Sequence, residues 1–255
     1  MVGQNVFNGG EVDQMKARFQ HLEMCKKMDC DVIRIKGPFP DIVFAANAGL
    51  VLPRLPEKVV LMSNMKHESR KLETPRLKKA FATIGYRTID FPSTDVFEGQ
   101  GECQWFRNYK LLLVGYGFRS TARSVTTLRR TLGAIYNSYG VTPPQVIGLP
   151  LESPFLYHLD MAMMAVNSRS CIIHEIAFSK ATIRKLKEFV KVSQIRVADA
   201  FCLNAICTST KLYVHALHPD VRKLLKAITG LDIVENDVSE FEKAGGSVRC
   251  MVLDA

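Results

Sequence analysis

The sequence predicts an α/β fold made of five strand–helix repeats in a single domain spanning residues 1–255, and three observations carry that expectation. Amphipathic helical segments start near residues 11, 69, 121, 180 and 219, at steps of about 57, 52, 59 and 39 residues. Short apolar runs with β-forming character lie between them. No Ser/Gly-rich linker or low-complexity stretch divides the chain.

Each element has its own warrant. A helix over 12–28 aligns Met15, Phe19 and Leu22 on one face, and a strand is expected at 31–35. Val59–Met62 is a continuous apolar run of strand length. The helix over 69–84 aligns Leu72, Leu77, Ala80 and Phe81, stops at Gly85, and leads into a strand at 86–91. A strand at 111–114 precedes the helix over 121–136, whose apolar positions are Ala122, Val125, Leu128, Leu132 and Ile135. Gly140 and the Pro143-Pro144 turn separate it from a strand at 146–149. The fourth repeat carries strands at 171–174 and 195–197 around a helix over 180–190 with Ile183, Leu186 and Val190. The fifth carries strands at 212–214 and 232–234 around a helix over 219–228, closed by Gly230. A last strand is expected at 248–253 after Gly245-Gly246.

Composition excludes several classes of function. With 47% hydrophobic and 23% charged residues the chain is globular rather than disordered. The net charge of +9 is spread over helical segments with acids between, and neither a zinc-finger spacing nor an aromatic platform accompanies it, so no nucleic-acid partner is expected. No apolar run reaches the ~18–20 residues of a membrane span, so no membrane partner is expected. The N-terminus has no basic and apolar regions of a secretory signal. Seven cysteines, at 25, 30, 103, 171, 202, 207 and 250, are an odd number in a large chain. That argues against a disulfide framework and for a reducing compartment, the cytoplasm. His215 and His218 have no partners at ligand spacing, so no metal site is read there, and no cofactor is expected. Cys171, His174 and Cys103 are read as core.

Four segments carry polar groups that neither a core nor an ordinary surface explains. Residues 40–49 flank an apolar run with Asp41 and Asn47. Residues 97–103 place Glu98 and Glu102 around a glycine-containing loop. In Tyr157-His158-Leu159-Asp160, an imidazole and a carboxylate at i and i+2 would share a face of extended backbone. Cys250 follows the double glycine. A thiol with an imidazole proton carrier is the equipment of nucleophilic catalysis. Carboxylates around it suit a cationic electrophile such as a guanidinium, whose planar fork they match.

Taken together and in order, these motifs resemble the guanidino-group-modifying family of arginine deiminases, amidinotransferases and dimethylarginine dimethylaminohydrolases, most of all the last, over about residues 8–253. The resemblance implies a five-bladed α/β propeller of ββαβ repeats, a pentein. It also implies a strand ahead of residues 5–10, so an incomplete first blade is expected. It makes Cys250 the nucleophile, His158 the general acid/base and Glu98 the acid that orients the imidazole. Asp160 and Asp41 would hold the substrate, and Arg70 and Arg119 would clamp its carboxylate. Asn47 matches the asparagine of some arginine-hydrolysing relatives, and Ala46-Asn47 replaces the Glu-Asp of the methylarginine hydrolases. Gln100 lengthens the family's acid-Gly-Gly-acid loop, so Glu102 stands as the second acid and competes with Glu98.

The implied activity is hydrolysis of a C–N bond of a linear amidine without a metal. Arginine or a methylated arginine would give citrulline and ammonia or an alkylamine through a thiouronium on Cys250. The alternatives are a deiminase, dihydrolase or amidinotransferase, and a catalytically silent binding protein of the same fold. Self-association is left open.

Overall fold

The computed structural model describes residues 11–39 and 41–254. Among them the chain builds four small sheets, each of three strands. The first contains β1 (Gly49–Val51), β2 (Val59–Met62) and β3 (Arg87–Ile89), and the second β4 (Cys103–Phe106), β5 (Leu111–Tyr116) and β6 (Gln145–Pro150). The third contains β7 (Met163–Asn167), β8 (Ser170–His174) and β9 (Lys191–Ile195). The fourth contains β10 (Ile206–Cys207), β11 (Lys211–His215) and β12 (Asp232–Asn236). In every sheet the first strand pairs antiparallel with the second, and the second pairs parallel with the third. The helices in sequence order are α1 (Gln14–Met28), α2 (Glu68–Lys71), α3 (Thr74–Thr83), α4 (Ala122–Ser138), α5 (Leu159–Ala162), α6 (Lys180–Lys187), α7 (Pro219–Thr229) and α8 (Ser239–Glu242). Helices α2/α3, α4, α6 and α7 make the parallel crossovers, so each unit reads ββαβ.

The middle strands are buried on both faces, which explains why they read as unbroken apolar runs. Leu61, Leu112, Leu113 and Leu212 are fully buried, each stabilising the fold by about 1.5–3 kcal/mol. Helix α4 shows how one crossover is fixed. The Thr121 hydroxyl accepts from Ser124 N–H at 3.0 Å, and Thr121 N–H donates back to the Ser124 hydroxyl at 3.1 Å. This reciprocal cap starts the helix. Val125, Leu128, Leu132 and Tyr136 form its buried stripe, and the Tyr136 hydroxyl donates to Pro53 O at 2.7 Å.

Several expectations need correction. The face of α1 bearing Met15, Phe19 and Leu22 points outward, these residues being 85%, 66% and 46% exposed. Polar contacts with α8 set the rotation instead. The Gln20 amide donates to Ser239 Oγ at 3.0 Å and accepts from Glu240 N–H at 3.1 Å, while Asp13 N–H donates to Glu240 at 3.0 Å. The single helix expected over 69–84 is two, because Pro75 lacks the N–H needed to continue from α2 and restarts the helix as α3; Leu72 between them is exposed. The strand expected at 195–197 is β9, four residues earlier in its start and paired parallel with β8.

The strands expected at 31–35 and 248–253 do not form ladders among the described residues, and residues Arg249–Met251 are a 3₁₀ turn. Cys30 and Val252 pack against one apolar cluster, and Ile35 and Leu253 against another. The expectation concerning residues 5–10 lies outside the described residues. No helix of the described residues is long and apolar enough to cross a membrane.

Candidate active site

Several of the polar residues singled out from the sequence share one device: Asn47, Glu98, Glu102, His158 and Asp160 stand just before the first strand of their unit. Asn47 lies in the 3₁₀ turn Ala45–Ala48 ahead of β1. Glu98 and Glu102 bracket the 3₁₀ turn Gly99–Glu102 ahead of β4. His158 precedes α5, which carries Asp160 and runs into β7. Cys250 sits in the turn Arg249–Met251. The fourth unit contributes a residue that sequence reasoning missed: Asn204, two positions before β10.

His158 is buried and held from both sides. Its Nδ1 lies 3.0 Å from Glu102 Oε1, and its Nε2 lies 3.3 Å from Glu98 Oε2. The orienting contact at Nδ1 therefore belongs to Glu102. The other Glu102 oxygen accepts from Leu159 N–H at 3.3 Å, and Ser120 N–H donates to Oε1 at 3.2 Å. Glu98 accepts from Lys66 N–H at 2.9 Å and pairs with Arg119 Nη1 at 3.3 Å. Burial alone pushes the Glu98 carboxyl up, but His158, Arg119, Arg70 and the Lys66 N–H together outweigh it and hold it below its ordinary value. The lengthened loop is closed over Asn47 so tightly that a Cβ on Gly101 would sit 2.5 Å from the Asn47 amide nitrogen.

Cys250 is 4% exposed and is gripped by Asn204. Asn204 Nδ2 donates to Sγ at 3.1 Å, while Asn204 Oδ1 accepts from Cys250 N–H at 3.1 Å. The thiol donates to Asp160 Oδ2 at 3.6 Å. Burial, and then the Asp160 charge, push the thiol well above its ordinary value, so it rests as a neutral S–H. Asp160 is fully buried, and burial raises its carboxyl to about 6. Its second oxygen, Oδ1, has no hydrogen-bond partner among the described residues. The i, i+2 extended arrangement expected for His158 and Asp160 is not what brings them together: His158 is extended, but Asp160 lies in a helical turn.

His158, Cys250, Asp41, Asn47, Arg70 and Arg119 all line one pocket, with Phe44, Tyr157 and the Ala244–Gly246 stretch completing its walls. Arg70 is already fully engaged. It donates to Glu73, to Asn47 Oδ1 at 2.9 Å, and to the carbonyls of Asp41 and Phe44 at 3.1 and 3.4 Å. It fastens the 41–47 turn that bears Asp41 and Asn47. Burial raises the Asp41 carboxyl against the pull of Arg70. Arg119 lies over the Tyr157 ring, 4.7 Å from its centroid.

The space left in this pocket is about 20 Å³, roughly one water. Admitting a larger molecule requires some of these walls to move. A Cβ on Gly246 would meet Phe44 Cε1 at 2.3 Å. Gly246→Ala is thus expected to lower stability by about 1–3 kcal/mol, read as a drop in Tm. A larger hollow, about 710 Å³, lies at the far ends of the first strands, around Val51, Phe106, Asn167 and Cys207. No imidazole of the described residues lines it, whereas His158 and Cys250 both line the smaller pocket.

Repeated ββαβ units that present an imidazole and buried acids ahead of their first strands, beside a thiol from the 249–251 turn, define an α/β repeat protein with a cysteine-centred polar site. A family model described as N,N dimethylarginine dimethylhydrolase, eukaryotic, matches residues 8–255, and the chain belongs to that family. It is 30% identical over 246 residues to the bifunctional arginine dihydrolase/ornithine cyclodeaminase AgrE of Nostoc sp., covering 95% of this chain and 33% of that one. The chain thus spans about a third of the length of this relative. It is 27% identical over 250 residues to the N(G),N(G)-dimethylarginine dimethylaminohydrolase of Mycobacterium tuberculosis, covering 96% of this chain and 76% of that one. Among solved structures, the N-terminal domain of ArgZ, an arginine dihydrolase of cyanobacteria, superposes with a TM-score of 0.83 at 26% identity. The match covers 98% of this chain and 91% of that one, in a cysteine-to-serine mutant bound to substrate. The same domain with an asparagine-to-serine change was captured covalently bonded to a reaction intermediate, at a TM-score of 0.83 and 25% identity over 97% and 90% of the two chains.

Proposed function

We propose that this chain is a cysteine-dependent hydrolase of arginine-like guanidino compounds, acting on arginine or a methylated arginine. The observation that carries the reading is the fully buried Asp160, with one oxygen unpartnered and the other against the Cys250 thiol. A buried acceptor beside a neutral thiol is costly unless a cation completes it. A guanidinium does so, since its N–H fork fits the carboxylate and its positive charge favours the thiolate.

The chemistry follows from the geometry. On binding, the guanidinium is held by Asp160 and Asp41 and Arg119 faces its α-carboxylate, while Arg70 supports the site through the 41–47 turn that it fastens. The Cys250 proton passes to solvent, where the departing ammonia or alkylamine later takes one up, Asn204 Nδ2 stabilises the thiolate, and Sγ attacks the guanidino carbon. The C–N bond breaks as His158 delivers a proton to the departing ammonia or alkylamine, leaving a thiouronium on Cys250. His158, held in orientation by Glu102 and Glu98, then takes a proton from water, which attacks the same carbon and releases the ureido product. Citrulline is the expected first product.

A second reading, dihydrolysis onward to ornithine, is favoured by Asn47. It lines this pocket, and the family resemblance places it where methylarginine hydrolases carry an acid.

We read the fold as a five-bladed α/β propeller in one domain. The four ββαβ units support this, as does the packing of residues from 30–35 and 252–253 on two shared apolar clusters. All seven cysteines being free supports a reducing compartment, the cytoplasm.

The test is product analysis with arginine, monomethylarginine and asymmetric dimethylarginine. Citrulline from any of them is expected. Ornithine with ammonia from arginine would select the second reading. Thermal stabilisation by arginine with no product would overturn both.

A further inference from the structure

His215 ends β11, outside the pocket lining. It is 8% exposed, and each ring nitrogen faces a carboxylate: Nε2 lies 2.9 Å from Asp199 Oδ2, and Nδ1 lies 2.9 Å from Glu242 Oε1. Ionised carboxylates only accept, so both ring nitrogens must donate, and the ring is an imidazolium. Burial works against this charge, but the two acids outweigh it and raise the ring to about 9.

Each acid also connects toward Cys250, through a different segment. Asp199 Oδ1 accepts from Phe201 N–H at 2.9 Å, and Phe201 O accepts from Asn204 N–H at 2.9 Å. That turn presents Asn204, which grips the thiol. Glu242 Oε1 accepts from the Ser247 hydroxyl at 2.9 Å. Ser247 belongs to the stretch that forms the Gly245–Gly246 wall and delivers Cys250, and the Tyr157 hydroxyl donates to Gly245 O. The other titratable groups against Asp199 are His174 and Cys202. Burial lowers His174 to about 4 and pushes the Cys202 thiol up, so both are neutral near pH 7.

We propose that His215 is a positioning residue whose doubly hydrogen-bonded ring staples the 199–204 turn, which carries Asn204, to the 242–250 stretch, which carries Cys250. This rests on Cys250 being the nucleophile. Once the ring loses its proton, one nitrogen lone pair faces a carboxylate, and the staple opens on one side.

The test compares the full chain with His215→Gln and Glu242→Gln by hydrogen–deuterium exchange at pH 7 and by steady-state kinetics. In His215→Gln, exchange should rise about tenfold in peptides covering 199–204 and 243–250, with kcat lowered by about ten- to a hundredfold and KM nearly unchanged. In Glu242→Gln, only the 243–250 peptide should loosen. Unchanged exchange in both peptides, or equal loosening across the whole chain, would overturn the proposal. If the parent protein forms no product, the hydrolase reading fails while the exchange pattern still decides the role of His215. If product forms but His215→Gln retains full kcat, the staple fails and the hydrolase reading stands.

Discussion

Cys250→Ser is expected to lose turnover by at least about 10⁴-fold while keeping its fold. The loss is large because the hydroxyl cannot reach the anionic state that a bound guanidinium draws from the thiol. Nothing else among the described residues lining the pocket offers a replacement nucleophile: its other polar side chains are one carboxylate, two arginines, an amide, a phenol and the imidazole. Folding should survive, since the Asn204 Nδ2 donor can meet an oxygen as well as a sulfur, and the Cys250 N–H bond to Asn204 is backbone-based. Product release under saturating substrate and a melting curve together check the result. Residual citrulline at the parent rate would remove Cys250 from the mechanism.

Asp160→Asn should separate activity from stability. The asparagine keeps the shape but cannot balance a guanidinium, so kcat/KM should fall roughly 10²- to 10³-fold. Stability should move the other way. The carboxyl is raised from 3.8 to about 6 by burial in the folded chain, so the folded state holds its proton to a higher pH than the unfolded state does. That penalty is absent below about pH 4, grows as pH rises, and is complete above about pH 6, at roughly 3 kcal/mol. At pH 7 the variant should therefore melt higher by roughly 5 °C, and the gain should vanish near pH 4. A variant that is both inactive and less stable at pH 7 would mean that Asp160 holds the fold together rather than awaiting a cation.

How far these features were legible in the sequence depends on which strand or side chain is considered. Val59–Met62 and the 111–114 run were plain because strands buried on both faces are continuously apolar. The helices over 121–136 and 219–228 were plain because of their periodic stripes and the glycines that follow them, and the one over 180–190 because of its stripe, whereas Pro75 split the one over 69–84. The first strands β1, β4, β7 and β10 were not legible. Each is short and starts directly after the polar residues it presents, so their apolar pattern is broken where the site begins. The outward face of α1 misled because Gln20 and Glu240 hydrogen bonds, 220 positions apart, outweigh its apolar stripe. Of the site, Cys250, His158, Glu98 and Asp160 stood out as reactive types in odd surroundings. Asn204 and His215 did not, since their importance comes from contacts with segments distant in the chain, and an asparagine in a turn or a histidine after a strand carries no local sign of it.

The central claim is that the Cys250 thiol meets a flat cation beside Asp160 and His158. Mass spectrometry after exposure to 2-chloroacetamidine, a small amidinium alkylating agent, tests this most directly. The expected result is a single adduct on Cys250, with free arginine slowing its formation and the other six cysteines left intact. An adduct spread over other cysteines, or none on Cys250 while they react, would contradict it.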